Sequence, residues 1–120
     1  HPYFEQISEL QVSSHLLIER NGSIIQFVPF DKKAWHAGIS KFQGRENCNE
    51  FSIGIELEGT DNLDYTTNQY ESLVEATKEI MKVYPAISKE NIVGHSDIAP
   101  DRKTDPGDSF NWNLYLHNLV

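Results

Sequence analysis

Between positions 51 and 58 the chain alternates without a break, with Phe51, Ile53, Ile55 and Leu57 on one side and Ser52, Gly54, Glu56 and Glu58 on the other. A period of two is that of a β-strand, and a slip of one residue would turn every apolar side chain to the wrong face. Such a strand needs a layer over its apolar side, and the sequence supplies one next. Tyr70, Leu73, Val74, Thr77, Ile80, Met81 and Tyr84 recur at helical spacing, which predicts an amphipathic helix from about Thr67 to Tyr84. Thr66 with Gln69 three residues on is a capping box, and Pro85 stops the helix. A patterned strand followed by a covering helix sets the class as α/β.

The rest of the chain fits one domain of that class. Pro2 to Leu10 reads as a short helix, and Val12 to Glu19 and Ile24 to Val28 as strands. Arg20-Asn21-Gly22-Ser23 between the strands predicts a hairpin with a type I′ turn. Ile39 to Glu50 is polar and loop-like, Asn91 to His95 reads as a short strand, and Phe110 to Leu119 as a terminal helix. No internal repeat, linker or low-complexity segment interrupts the 120 residues.

Composition narrows the function classes. A formal charge of −8 argues against binding a phosphate backbone. No apolar run approaches the roughly 20 residues that span a bilayer. The single cysteine, Cys48, excludes an intrachain disulfide framework and is compatible with a reducing compartment.

Chemistry concentrates in Gly94-His95-Ser96-Asp97-Ile98-Ala99-Pro100-Asp101-Arg102-Lys103-Thr104-Asp105-Pro106-Gly107. His95 and Asp105 are zinc-type donors, and zinc commonly takes three protein ligands and leaves one position for water. In an extended segment Lys103 and Asp105, two residues apart, face one cavity, and Pro106 biases Asp105 toward such a conformation. On spacing alone, a solvated loop carries the same residues. Glu56 on the polar face of its strand suits the floor of a cleft, and equally an ordinary exposed sheet face. Trp35 beside His36 is a substrate platform or a core plug. His15, mid-strand, has the pattern of a half-buried, hydrogen-bonded histidine.

Four blocks taken together resemble a known family. These are Ser13-Ser14-His15-Leu16-Leu17-Ile18; Phe27-Val28-Pro29-Phe30-Asp31 leading to Ala34-Trp35-His36-Ala37-Gly38; Phe51 through Asp61; and Gly94 through Gly107. In order and content they resemble the zinc-dependent N-acetylmuramoyl-L-alanine amidases of the AmpD type, within the amidase and peptidoglycan-recognition superfamily. The resemblance implies a single domain with a mixed central β-sheet flanked by helices. It implies zinc as cofactor with His95 and Asp105 as ligands, Glu56 as the catalytic carboxylate and Lys103 as a cationic stabiliser. Trp35, His36, Ala99, Arg45 and His15 would contribute to the substrate cleft, Ala99 through its backbone and Arg45 toward a peptide carboxylate. The implied reaction is hydrolysis of the amide between the lactyl group of (anhydro)N-acetylmuramic acid and the L-alanine of a stem peptide. Its setting would be cytoplasmic recycling of peptidoglycan, and its partner an anhydromuramoyl peptide bound by a monomer without nucleic acid or membrane. The family pattern has one more zinc-binding histidine on a strand upstream of His1. Residues 1–120 are therefore expected to be an N-terminally incomplete amidase domain lacking its first strand, with a non-catalytic muropeptide-binding module as the alternative.

Overall fold

The computed structural model describes residues 14–34, 40–46, 48, 52–59, 63–100 and 103–119. The expected helix over Pro2 to Leu10 and the residues Trp35, His36 and Phe51 lie outside that set. Among the described residues, β1 (Leu16–Ile18), β2 (Ile24–Gln26) and β5 (Ile55–Leu57) form one sheet in the order β2-β1-β5. β1 runs antiparallel to β2 and parallel to β5, so the sheet is mixed as expected. The register sets Leu17 opposite Glu56 and Ile18 opposite Leu57.

The turn between β1 and β2 departs from the expected type I′. The Gly22 N–H donates to the Glu19 carbonyl at 2.8 Å, and the Glu19 N–H donates to the Ser23 carbonyl at 2.8 Å. Within it only Gly22 takes positive φ, at 90°. This is a three-residue loop closed by a glycine bulge, whereas type I′ needs positive φ at two residues. A two-residue turn of that kind occurs instead at Gln43-Gly44, with φ of 49° and 83°, joining β3 (Lys41–Phe42) to β4 (Arg45–Glu46). The polar composition of that region had predicted only a loop.

The long helix α1 spans Thr67–Val83. Its capping box is closed on both sides: Thr66 Oγ1 accepts from the Gln69 N–H at 3.1 Å, and Gln69 Oε1 accepts from the Thr66 N–H at 3.0 Å. Gln69 is also fully buried, and its Nε2 donates to the carbonyls of Ile18 and Glu58 where β1 and β5 end. The helix start is thereby fastened to two neighbouring strands by one side chain. α1 and the terminal helix α3 (Trp112–His117) bury Leu73, Tyr115 and Leu119 with Ile18 and Phe110 in the main core. Ile55 and Leu57 pack against that core, which confirms the apolar face read from the alternation. Phe110 meets Trp112 edge to face at 4.9 Å. Thr77 and Tyr115 share a buried hydroxyl–hydroxyl hydrogen bond of 2.6 Å that satisfies both polar groups.

The expected strand over Asn91 to His95 is absent. Lys89–Asn91 form a 3₁₀ turn, residues 92–94 belong to no strand although Ile92 and Gly94 have extended backbone, and His95–Ile98 form a one-turn helix, α2. The Asp97 carboxylate explains the switch, because it accepts from the Gly94 N–H at 2.9 Å and caps α2 at the residue where strand pairing would continue.

Candidate active site

His95 opens α2, and Asp105 arrives from a loop that folds back onto it. Gly94 permits this close approach. A Cβ there would lie 2.6 Å from Pro106 Cδ and 3.2 Å from the Asp105 carbonyl. The Ser96 N–H donates to that carbonyl at 3.0 Å, and the Tyr65 hydroxyl donates to the Pro106 carbonyl at 2.7 Å, so the loop is tied to both α2 and the core. Neither anchor had a signal in the sequence beyond a glycine before a histidine and a tyrosine in a polar stretch.

The result is a direct contact: His95 Nδ1 and Asp105 Oδ2 are 2.5 Å apart. Glu56, from β5, completes a group of three whose donor atoms all lie within 4.8 Å of one another. One imidazole nitrogen and two carboxylates form a donor set that suits a divalent cation, zinc included. The residues therefore fit the metal implied by the sequence.

The two carboxyls differ in acidity. The hydrogen bond from His95 holds Asp105 below the usual 3.8, with the charges of His95 and Lys103 acting the same way against partial burial. Glu56 has open surface, yet the walls around it displace enough water to push its carboxyl above the ordinary 4.5. The Asp105 carboxylate adds to that rise, while His95 and Lys103 oppose it. Lys103 is thus close enough for its charge to be felt by both.

All three donor residues border one cavity of about 800 Å³. Arg45, on the β3–β4 hairpin, borders it too, beside Phe42 and Lys33. Two expected cleft residues do not fit their assigned places. His15, just before the central strand β1, is 0% exposed, with both ring nitrogens bonded to backbone, so it offers nothing to a ligand. Ala99 is buried; its N–H donates to His95 and its carbonyl accepts from Lys103, which uses its backbone to close α2 rather than to meet a peptide.

Residues 1–108 match the N-acetylmuramoyl-L-alanine amidase family. The chain belongs to that family. It is 62% identical over 112 residues to the 1,6-anhydro-N-acetylmuramyl-L-alanine amidase AmpD of Escherichia coli K12, a match covering 93% of this chain and 61% of AmpD. This amidase-family chain thus spans about three fifths of that relative's length. The crystal structure of a selenomethionine derivative of AmpD superposes with a TM-score of 0.89 at 57% identity, covering 100% of this chain and 66% of the other. The E. coli amidase AmiD, solved with the substrate anhydro-N-acetylmuramic acid-L-Ala-D-γ-Glu-L-Lys, superposes at 0.82 with 37% identity, covering 97% and 52%. The mixed sheet with its helices is accordingly the amidase-family fold.

Proposed function

We propose that this domain hydrolyses the amide between the lactyl group of anhydro-N-acetylmuramic acid and the L-alanine of a stem peptide, using zinc. The carrying observation is the convergence of His95, Asp105 and Glu56 within 4.8 Å at the edge of a substrate-sized cavity. His95 and Asp105 would hold the metal. When bound, zinc supplies Lewis acidity and makes water a nucleophile near neutral pH.

The chain's own residues account for the proton movements. Glu56 takes a proton as the water oxygen bonds to the carbonyl carbon, and its raised pKa improves it as a base and later as an acid. It then gives that proton to the departing nitrogen as the C–N bond breaks, leaving a lactyl carboxylate and a free alanine amine. Lys103 faces the negative charge that builds on the carbonyl oxygen, a role whose loss typically costs about 100- to 1000-fold in rate. Arg45 lines the cavity, which supports a role toward a peptide carboxylate. Trp35 and His36 belong to the proposed cleft through the family motif. The 1,6-anhydro-N-acetylmuramyl-L-alanine amidase activity of AmpD supports the choice of bond and of an anhydro sugar; the setting we assign is peptidoglycan recycling in the cytoplasm, with a single copy of the chain acting on its muropeptide.

The test is product formation from anhydromuramoyl peptide, followed by chromatography, together with zinc content by elemental analysis. Asp105→Ala is expected to lose zinc and turnover, and Lys103→Ala to keep zinc while kcat falls about 100-fold or more. Near one zinc per chain would mean that these residues complete the donor set. Unchanged zinc in Asp105→Ala would sink the ligand assignment. Muropeptide binding without cleavage at full zinc loading would establish the binding-module reading instead.

A further inference from the structure

We propose that His15 is a positioning residue for Glu56: a neutral ring, fixed in one tautomer, that ties the floor of the cavity to its rim. The inference rests on Glu56 being the proton-transfer carboxylate. The Gly54 N–H donates to His15 Nδ1 at 3.0 Å, so Nδ1 is an acceptor and carries no proton. The ring proton therefore sits on Nε2, which donates to the Lys32 carbonyl at 2.7 Å. The ring is fully buried, so water cannot substitute for either partner.

Each end of the tie leads to the cavity. Gly54 lies two residues before Glu56, and in extended backbone residues at that spacing share a face. Backbone bonds reinforce the point, since the N–H groups of His15 and Leu16 both donate to the Gly54 carbonyl, at 2.8 and 3.2 Å. Gly54 is thus gripped through its N–H by the ring and through its carbonyl by the backbone, which fixes where β5 begins and how far Glu56 projects. At the other end, Lys32 belongs to a turn closed by its own N–H on the Pro29 carbonyl at 3.0 Å. Phe30 and Lys33 of the same segment border the cavity, and the Phe30 ring lies 6.1 Å from that of His15. Strand floor and loop rim are spaced by one rigid five-membered ring.

The chemistry selects histidine-like groups. The position needs an acceptor on one edge of a plane and a donor on another. An apolar replacement would leave the Gly54 N–H and the Lys32 carbonyl without these partners inside the protein. Glutamine offers one acceptor and one donor.

The experiment combines imidazole ¹⁵N NMR, Gly54 amide exchange, zinc content and steady-state kinetics on the full 120-residue chain. The wild type is expected to show a single Nε2–H tautomer and a slowly exchanging Gly54 amide. His15→Leu, folded and with zinc unchanged, is expected to exchange Gly54 faster and to lose about 10- to 100-fold in kcat with KM within about twofold, the scale of a misplaced catalytic group. His15→Gln is expected to recover most of that loss. Wild-type kcat in His15→Leu, no recovery in a folded His15→Gln, or a proton on Nδ1 would each overturn the proposal. If His15→Leu does not fold, His15→Gln decides alone, with near-wild-type kcat and a slow Gly54 amide in support. A wild-type chain without turnover but with the tautomer and slow exchange would overturn the catalytic purpose and, separately, the amidase reading.

Discussion

In chelated, metal-free protein the two carboxyls of the cleft pull stability in opposite directions across the acid range. Asp105 is more acidic folded than unfolded, so its contribution is complete above about 3.8 and is lost as pH falls through its lower folded value. Glu56 is less acidic folded than unfolded. Between 4.5 and its raised value the native state holds the extra proton, so stability declines as pH rises through that window. Glu56→Gln removes the penalty and is expected to raise Tm at pH 8 while leaving it unchanged near pH 4. Equal Tm for the two proteins at pH 8 would show that the carboxyl is as well solvated as in water. The neighbouring glycine makes a steric prediction. Gly94→Ala would set a methyl 2.6 Å from Pro106 Cδ, so the Asp105 loop is displaced from His95. Zinc affinity is expected to fall at least about 10-fold, the size of effect seen when a ligand's support is disturbed. Titration with a competing chelator reads it directly.

Elements show which local signals carry enough information. α1 was legible at both ends because the cap, the 3.6-residue period and Pro85 are all encoded within it. The sequence showed Gln69 as half of that cap and concealed its second task, since the strand ends it binds lie 51 and 11 residues away. Gln69→Ala removes four side-chain hydrogen bonds, from Thr66, from Arg20 and to the two strand-end carbonyls. A loss of about 3 kcal/mol in urea unfolding is expected, from a lost cap and buried groups left unpaired. A loss below about 1 kcal/mol would mean that the strand ends hold without it. The β3–β4 hairpin is not legible in the sequence because Lys41, Arg45 and Glu46 are exposed and polar, and a two-stranded ribbon with only Phe42 packed inward leaves no alternation. Near His95, capping by Asp97 overrode a strand-like run of Ile92 and Val93. The pattern reads His15 as a hydrogen-bonded strand histidine, and its buried ring with both nitrogens bonded agrees; the cleft role came from the resemblance, and neither reading reveals the Lys32 carbonyl that the ring meets.

At the scale of the whole molecule, layers and candidate donor residues are accessible from the chain while the cavity is not. The alternation at Ile55 and Leu57 and the stripe on α1 each demanded the other, so a helix over a sheet followed from the pattern alone. His95, Lys103 and Asp105 lie in one continuous stretch, and their meeting depends on Gly94 and a short loop. Glu56 enters from 39 residues upstream of His95, and its association with them is a product of topology.

The Gln43-Gly44 turn has a practical use. Position 43 already holds a side chain at positive φ, its neighbour Gly44 has open space around it, and Phe42, Gln43 and Arg45 all border the cavity. Cys48, the sole cysteine of the sequence, is buried. Gln43→Cys therefore gives a chain with one accessible thiol at the mouth of the cleft, and a fluorophore attached there is expected to change emission when a muropeptide enters. Labelling of the unmutated chain at a comparable rate would show that Cys48 is reached instead. The turn that leaves least trace in the sequence is where an optical readout of occupancy can be built.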